Sequence, residues 1–401
     1  MVMTMSKELS ARVQRIKPSP TLAVSARADE LIAEGKDIIN CGLGEPDFDT
    51  PDYIKEAAIK AIQMGFTKYT AVDGIPSLKK AIIQKFARDN QLTYKPDQIL
   101  VSCGAKHSFY NLFAALLNQG DEVIIPAPYW VSYPDIAKIA DAVPVTIKAD
   151  MGQHFKVTPQ QLLAAITPRT RIFVINSPSN PTGVAYSAPE LKALGDVLLK
   201  YPDIIVVTDD IYEHTLFNNT RFANILMVCP ELYDRCIVIN GVSKTYAMTG
   251  WRIGYAAGPS QIIAAMKKIQ SQSTSNPCSI SQWAAEAALN GDQSCISVMV
   301  KAYQARHDYI LSELQKIHGV QCLPSDGTFY SFPNFEEVIK KTTRVNNDIE
   351  LSEYFLKEAE VAVVPGSAFG MPGCIRISYA TSMEKVKEAM KRLARAVVQL
   401  T

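Results

Sequence analysis

The 401-residue sequence lacks several features that would place it in other classes of protein. No apolar run approaches the ~20 residues that a membrane-spanning helix needs, and the N-terminal segment has no apolar core typical of a signal peptide. The 41 basic residues nearly equal the 40 acidic ones, so no excess of one charge favours nucleic acid or a membrane surface. These absences argue against both kinds of partner.

Cysteine and histidine also occur without a metal-binding pattern. The eight cysteines form no C-x-x-C pair, and the five histidines stand singly. Scattered cysteines are typical of reduced thiols, so we expect a cytoplasmic protein without a metal site. A nicotinamide enzyme is disfavoured because "GLGEPD" lacks the third glycine of the G-x-G-x-x-G motif.

Seven short apolar runs alternate with helical patterns between about residues 98 and 258. The runs are apolar nearly throughout, which is typical of strands that helices cover on both faces. This alternation predicts a wound α/β sheet. The runs are QILVS, DEVIIPAP, VPVTIK, RIFVINS, IIVVTDD, CIVING and RIGYAAG.

Beyond about residue 292 the alternation stops, and a long periodic helix is followed by short strands and a last helix. The first 50 residues contain too few elements to fold alone, so we expect them to pack with this C-terminal part. The sequence therefore predicts a large α/β domain over 51–291 and a small α+β domain made of 1–50 and 292–401.

Polar groups follow several of the predicted strands. In open α/β sheets, ligands bind beyond the carboxyl ends of the strands, so these groups are candidates for a site. Each motif alone is also typical of an ordinary turn or helix start. The motifs are SCGAK, PAPYW, NSPSNPTG, TDDIY and NGVSK, and GWRIG begins the last strand.

One set of these residues suits a phosphate and an aromatic ring. Gly104, Ala105 and Lys106 open a helix, whose free N–H groups favour an anion such as phosphate. Arg252 can hold the same phosphate with two donors. Trp130 offers a flat apolar face to a ring.

A second set suits the remaining parts of one cofactor. Asp209 ends a buried strand, where a carboxylate is costly unless it meets a cation. Asn180 and Tyr212 supply donors for a ring oxygen, and Lys244 supplies an amine that can form a Schiff base. A phosphate, a cationic ring nitrogen, a phenolic oxygen and an aldehyde together describe pyridoxal phosphate.

These motifs resemble those of the class I aminotransferases of pyridoxal-phosphate fold type I, close to the 1-beta subgroup of aspartate aminotransferases. The resemblance covers nearly the whole chain, and its most specific motifs are SKTYAMTGWRIGY and NSPSNPTG. It implies a large wound α/β domain with a mostly parallel seven-stranded sheet and a smaller α+β domain built from both chain ends. The other matching motifs are RVQRIKPS, GEPDFDTP, FTKYT, PAPYWVSYP, DIYEH, VVPGSAFG and IRISYA.

The resemblance also implies roles around the cofactor ring. Lys244 would be the Schiff-base lysine and the proton shuttle, and Asp209 would keep the pyridinium nitrogen protonated. Trp130 would stack on the ring, while Asn180 and Tyr212 would bind its phenolate oxygen.

At the phosphate, the resemblance implies binding by the helix start at Gly104, Ala105 and Lys106, together with Ser243 and Arg252. Tyr69 of KYT would reach the phosphate in the other subunit, so that each site would need a homodimer.

For the substrate, the resemblance implies that Arg376 binds the α-carboxylate with two donors, beside Gly44 and Asn180, with Trp130 close to the substrate. A strand arginine in an apolar run is costly unless it is paired, and a structural salt bridge remains the alternative for Arg376.

Lys106 would read the distal carboxylate of a dicarboxylic amino acid. Lys17 and Thr21 match positions that permit prephenate in relatives, although Lys17 could equally be a solvated residue of the N-terminal arm. Asp210 and His107 depart from the glutamate and glutamine common in relatives, which leaves the substrate range open.

We therefore expect reversible amino transfer between L-aspartate and 2-oxoglutarate, giving oxaloacetate and L-glutamate, with prephenate left open as a second acceptor that would give arogenate. One alternative is another pyridoxal-phosphate enzyme, such as an aromatic or alanine aminotransferase or a β-lyase. A non-catalytic regulator that keeps the fold is the other.

Overall fold

The structure is a computed structural model that describes residues 9–400. Helices and strands alternate through most of this range. The α-helices are α1 (Ala11–Gln14), α2 (Pro20–Ala33), α3 (Asp52–Gln63), α4 (Pro76–Lys85), α5 (Ala105–Leu116), α6 (Ser132–Ile139), α7 (Pro159–Ala165), α8 (Ala188–Leu198), α9 (Ile225–Val228), α10 (Ser260–Ser271), α11 (Ser279–Asn290), α12 (Ser294–Leu314), α13 (Glu336–Lys340), α14 (Asp348–Glu358) and α15 (Met383–Leu400).

The strands are mostly short outside the central sheet. They are β1 (Ile39–Asn40), β2 (Ile99–Ser102), β3 (Glu122–Ala127), β4 (Val143–Lys148), β5 (Thr170–Asn176), β6 (Ile205–Asp209), β7 (Cys236–Gly241), β8 (Gly254–Ala257), β9 (Tyr330–Ser331), β10 (Val361–Ala362), β11 (Val364–Pro365) and β12 (Ile375–Ser378).

The central sheet has seven strands in the order β2-β8-β7-β6-β5-β3-β4. All neighbours are parallel except β8, which runs antiparallel to both β2 and β7. Every residue of β2, β7 and β8 is buried, because apolar layers cover the sheet on both faces. The predicted wound α/β fold with a mostly parallel seven-stranded sheet is confirmed.

The register of the sheet brings several strand ends together. Asn176, the last residue of β5, pairs with Asp209, the last residue of β6. At the antiparallel edge, Ser102 of β2 pairs with Gly254 of β8, so the chain leaving β2 meets the chain entering β8. Residues that are far apart in sequence therefore share one edge of the sheet.

The two chain ends pack together beside this sheet. β1 pairs in parallel with β10, and Leu31 of α2 packs with Ile38 and Ala362. A second small sheet has the order β11-β12-β9 and shares a core with α12 and α15. The domain bounds at 51 and 291 stay a prediction. Among residues 9–400, no helix is both long and apolar enough to cross a membrane.

Candidate active site

A cavity of about 440 Å³ opens at the carboxyl edge of the central sheet, where the segment around Gly44 and helix α2 close over it. This volume lies in the range of small-molecule sites. The cavity gathers most of the candidate residues that the sequence analysis named. They are Thr21, Gly44, Ala105, Lys106, Trp130, Asn180, Asp209, Tyr212, Ser243, Lys244, Arg252 and Arg376.

Lys244 lies in the turn that follows β7. Its Nζ donates a hydrogen bond to the backbone carbonyl of Gly44 at 2.5 Å. Burial lowers the pKa of the Lys244 amine to about 8, although the carboxylates of Glu45 and Asp209 act in the opposite direction. A sizeable fraction of the amine is therefore neutral near physiological pH, and the neutral amine is the form that attacks a carbonyl group.

Asp209 ends β6 and is 4% exposed. The Tyr133 hydroxyl donates to its Oδ2 at 2.5 Å, and the backbone N–H of Ile211 donates to its Oδ1 at 3.3 Å. Burial nevertheless raises the pKa of Asp209 to about 6, against the effect of these hydrogen bonds. No cation forms an ion pair with Asp209 within residues 9–400, so the site offers a buried carboxylate that suits a bound cation.

Asn176 and Asn180 continue this edge of the site. The amide of Asn176 donates to the backbone carbonyl of Asp209 at 2.9 Å, and its Oδ1 accepts from the N–H of Asn180 at 2.9 Å. Asn176 also lines the cavity. Neither Asn176 nor Tyr133 was named from the sequence, although both lie within motifs that were recognised there, NSPSNPTG and PAPYWVSYP.

The start of α5 and Arg252 form the cationic end of the cavity. Gly104 is the residue before the helix and has φ 87°. A Cβ atom at Gly104 would lie 2.4 Å from NH2 of Arg252, so only glycine permits this close approach. Arg252 is held by the carbonyl oxygens of Thr249 and Cys103, at 2.9 and 3.3 Å. The helix N-terminus and the guanidinium group together suit a phosphate.

Lys106 and Trp130 meet at the side of the cavity. The Lys106 Nζ lies 5.2 Å from the centroid of the Trp130 ring. Burial lowers the pKa of Lys106, and the charge of Arg252 lowers it further. An anionic ligand group placed between these two cations would relieve their repulsion.

Arg376 lies in β12 and is 2% exposed. Its NH1 donates to Oδ1 of Asn180 at 3.0 Å, its NH2 donates to the carbonyl of Gly42 at 2.7 Å, and its Nε has no partner. The guanidinium lies against the rings of Tyr330 and Phe369, at 4.6 and 5.0 Å. No carboxylate of residues 9–400 forms an ion pair with it, so the alternative of a structural salt bridge is not seen.

Tyr330 is a further residue of the site that the sequence analysis did not name. Its hydroxyl lies 2.9 Å from the Tyr212 hydroxyl, with either oxygen able to donate. Tyr330 thus links Tyr212 to Arg376, but it comes from a two-residue strand far along the chain. No local pattern in the sequence indicates that contact.

Three of the candidate residues do not line the cavity. Gly104 lies directly before α5, and Tyr69 and Lys17 lie elsewhere. The Tyr69 side chain is 92% exposed, which fits a residue that makes no contact within its own subunit's site. Lys17 lines a separate cavity of about 620 Å³, together with residues of α2, α6 and α14. Thr21, its neighbour in the motif, does line the main cavity.

The family model described as aminotransferase class I and II matches residues 36–393, and the chain belongs to this family. The chain is a pyridoxal-phosphate-dependent aminotransferase, so the predicted enzyme class and cofactor are confirmed.

Individual relatives are similar over almost their full length. An aspartate/prephenate aminotransferase of Nitrosomonas europaea is 59% identical over 392 residues, which cover 96% of this chain and 99% of the relative. The crystal structure of an aspartate aminotransferase from Rhizobium meliloti is 47% identical, with a TM-score of 0.94 over 98% of this chain and 100% of that one. An aspartate aminotransferase from Thermus thermophilus, described with maleate, is 41% identical, with a TM-score of 0.92 over 97% and 100%.

The groups around the cavity fit pyridoxal phosphate. A partly neutral amine can meet an aldehyde, and a buried carboxylate without a cation can meet a ring nitrogen. A helix N-terminus with an adjacent arginine suits the phosphate, and an indole face lines the space between. The Nε of Arg376 remains without a partner, which leaves a buried cationic donor for the substrate.

Proposed function

We propose that the chain catalyses reversible amino transfer between L-aspartate and 2-oxoglutarate. The observation that carries the proposal is that one cavity contains the amine of Lys244 and two cationic groups, those of Arg376 and Lys106, that have no carboxylate partner among the described residues. Arg376 is buried without a carboxylate, Lys106 lies near Arg252 with a lowered pKa, and Lys244 lies between the strand ends. A dicarboxylic substrate supplies one carboxylate to each of the two cations.

Arg376 is proposed to bind the α-carboxylate of the amino-acid and 2-oxo-acid substrates, with Asn180 and Gly44 as neighbours. Bidentate binding of a carboxylate uses the planar fork of the guanidinium group. Lys106 is proposed to bind the distal carboxylate, and Trp130 and Thr21 to complete the walls around the substrate.

Around the cofactor, Asp209 is proposed to pair with the ring nitrogen, with Tyr133 holding the carboxylate in place. Asn180 and Tyr212 would donate to the ring oxygen, and Trp130 would cover the ring face. When bound, pyridoxal phosphate supplies an aldehyde that condenses with amines and a ring that withdraws electrons from the substrate α-carbon.

The phosphate is proposed to lie at the start of α5, held by Gly104, Ala105, Lys106, Ser243 and Arg252. The backbone N–H groups there point along the helix axis and favour an anion. Gly104 leaves room for Arg252 at this position.

Lys244 is proposed as the general base and acid. Its Nζ would accept the proton of the substrate α-carbon and later return a proton, a function worth roughly 10²–10⁴-fold in rate. A pKa that burial has lowered to about 8 suits this exchange, because the amine can both lose and regain a proton near neutral pH.

A homodimer is part of the proposal, because Tyr69 is 92% exposed and would complete the phosphate site of the other subunit. We also propose a cytoplasmic location, in line with the scattered cysteines, all of which are free in the described residues.

The test is the half-reaction of the loaded enzyme with aspartate, glutamate, phenylalanine and arogenate, followed by the absorbance of the cofactor. Aspartate and glutamate should react at least about tenfold faster than phenylalanine, because the distal carboxylate would gain a charge-assisted hydrogen bond from Lys106. Lys106→Ala should remove that preference, whereas Lys301→Ala, at an exposed position of α12, should not. A preference for phenylalanine or alanine in the unmodified enzyme would overturn the assignment, and an absence of any reaction would favour a regulator.

Prephenate is the second candidate acceptor. It is favoured by the name of the Nitrosomonas europaea relative and by the position of Thr21 on the cavity wall. Reaction with arogenate at a rate comparable to that with aspartate would support it.

A further inference from the structure

The turn that follows β6 has the sequence Asp209-Asp210-Ile211-Tyr212-Glu213. Asp209 and Tyr212 line the cavity. Glu213 does not, and its side chain is only 3% exposed. The same short turn therefore presents two groups to the site and buries a carboxylate on its other side.

Glu213 is surrounded by donors from three different elements. Lys85, the last residue of α4, forms an ion pair with it, and both side chains are nearly fully buried. Asn90 donates to Oε2 at 2.8 Å, and Asn240 donates to Oε1 at 2.7 Å. His214 Nε2 lies 3.5 Å from Glu213 and 3.3 Å from Asp89. The other titratable groups that interact with Glu213 are Asp210, Tyr246 and Tyr255.

The side chain of Lys85 is itself held in place by neighbouring groups. Its Nζ donates to Oδ1 of Asn90 at 2.7 Å and lies 5.0 Å from the centroid of the Phe86 ring. Burial acts to raise the pKa of Glu213, but the charges of Lys85 and His214 outweigh it and lower that pKa. Glu213 is thus an ionised acceptor with fixed donors, which makes a short, directional anchor.

Asn240 connects this anchor to the strand that carries Lys244. It lies in β7, four residues before Lys244, and its Oδ1 accepts from the N–H of Gly241. One carboxylate therefore holds both the turn of Asp209 and Tyr212 and the end of the strand that leads to Lys244. The last backbone hydrogen bond between the two segments runs from the N–H of Asp210 to the carbonyl of Ile239, at 2.9 Å. Beyond it, the hydrogen bond from Asn240 to Glu213 links the turn to the end of β7.

We propose that Glu213, anchored by Lys85 and bonded to Asn240, is a positioning residue that fixes the distance between the Asp209–Tyr212 turn and Lys244. It touches neither cofactor nor substrate. The inference rests on the roles proposed above for those three residues.

The main test is Asn240→Ala, which cuts the link and leaves the Lys85–Glu213 ion pair intact. Asn111→Ala is the matched control, because Asn111 is equally buried but donates to Gln270 of α10, and neither residue lines the cavity. With pyridoxal phosphate bound, Asn240→Ala should lower kcat about tenfold or more while KM for aspartate stays within about twofold, since misplaced catalytic groups affect the reaction step. The pH midpoint of the cofactor absorbance should also move by about half a unit or more, because Lys244 and Asp209 set it.

A second readout needs no activity. In the full chain without cofactor, hydrogen exchange of the backbone over 236–246 should be at least about fivefold faster in Asn240→Ala than in Asn111→Ala. If the exchange changes while no amino donor reacts with the unmodified enzyme, the proposed function fails and the positioning link stands. If both variants behave alike in exchange and absorbance, the link is overturned.

Should Asn240→Ala not fold, the double variant Lys85→Met/Glu213→Gln takes its place. It removes both charges together and so leaves no unpaired buried ion. Its control is Arg169→Met/Glu122→Gln, an ion pair at the opposite end of the sheet, where Glu122 begins β3 and is similarly buried. The same shift in absorbance and exchange supports the proposal, and equality with the control overturns it.

Discussion

The Nζ of Lys244 and the backbone carbonyl of Gly44 are 2.5 Å apart, although the two residues are separated by 200 positions in the chain. The acceptor is a neutral carbonyl rather than a carboxylate, so it orients the amine without strongly holding a proton on it. The neutral amine keeps an N–H group for this hydrogen bond and leaves its lone pair available.

Lys244→Ala is expected to keep pyridoxal phosphate bound but to lower turnover by about 10²–10⁴-fold, because the proton-transfer group is lost. The other residues that are proposed to contact the phosphate and the ring are unchanged in this variant. Borohydride should fix the cofactor to Lys244 in the unmodified enzyme, which peptide mass spectrometry detects. Lys301→Ala serves as the control. If Lys244→Ala turns over substrate at the rate of the unmodified enzyme, the proposed role of Lys244 is wrong.

Arg376→Lys is expected to lower kcat/KM for aspartate and 2-oxoglutarate by about 10–100-fold, since a charge-assisted hydrogen bond contributes about 1.5–3 kcal/mol. An ammonium group cannot reproduce the two parallel donors of the guanidinium group. Steady-state kinetics with both substrates measures the change. Arg306→Lys is the matched control, because Arg306 is also buried but pairs with Asp47 at 2.7 Å; equal losses in both variants would contradict a substrate role for Arg376.

Gly104→Ala is expected to weaken pyridoxal phosphate binding by at least about tenfold, because a Cβ atom would displace Arg252, which is proposed to contribute charge-assisted hydrogen bonds. Gly120→Ala is the control for backbone strain. Its φ of 85° is close to the 87° of Gly104, but nothing lies within 4 Å of its Cβ position. Equilibrium dialysis measures the binding of pyridoxal phosphate to both variants. Binding should weaken in Gly104→Ala only, which would show that the loss comes from the displaced arginine and not from the strain of a positive φ.

Asp210→Asn is expected to increase the stability of the protein, relative to the unmodified protein, more at high pH than at low pH. Burial, together with the charge of Glu213, raises the pKa of Asp210 to about 7. This folded-state value lies above the ordinary value near 3.9, so the carboxyl stabilises the fold below about pH 4 and loses that contribution as the pH rises through 7.

We compare the free energy of unfolding of Asp210→Asn with that of the unmodified protein. From pH 4 to pH 8 this difference should change by on the order of 3 kcal/mol in favour of the variant. The asparagine can keep both partners, because Thr208 can accept and Asn224 can still donate. Urea unfolding at the two pH values measures the difference. A change of the same size in the exposed Asp203→Asn would contradict this origin.

Hybrid dimers test whether Tyr69 serves the other subunit. Lys244→Ala and Tyr69→Ala homodimers should each have low activity, whereas mixing the subunits should restore up to about a quarter of the unmodified activity. Half of the randomly mixed dimers are hybrids, and each hybrid has one site that carries neither change. No gain on mixing, with subunit exchange verified by mass spectrometry, would place Tyr69 outside a shared site.

The sequence predicted the central sheet well because buried strands leave a strong local signal, and all seven apolar runs became strands. The expected cover on both faces was wrong for the edge strand β4, in which only Ile147 is buried. The cavity residues at strand ends followed from that topology. Tyr330 and Tyr133 were missed, since their contacts with Tyr212 and Asp209 depend on packing between distant segments. The ion pair between Glu213 and Lys85 could not be predicted either, because the two residues lie 128 positions apart and no repeating pattern in the sequence relates them.

The pairing of the N-terminal strand with Val361 and Ala362, and of Arg376 with Gly42, has a consequence during translation. The strands of the central sheet are all synthesised by residue 257, and the helices that cover the sheet by residue 290, whereas the wall of the cavity that carries Arg376 comes later. A ribosome that stops between residues 290 and 376 therefore releases a product that has the strands of the sheet but lacks Arg376, the residue proposed to bind the substrate α-carboxylate. On this proposal the chain can bind its substrate only after residue 376 has been synthesised, 119 residues after the last strand of the central sheet.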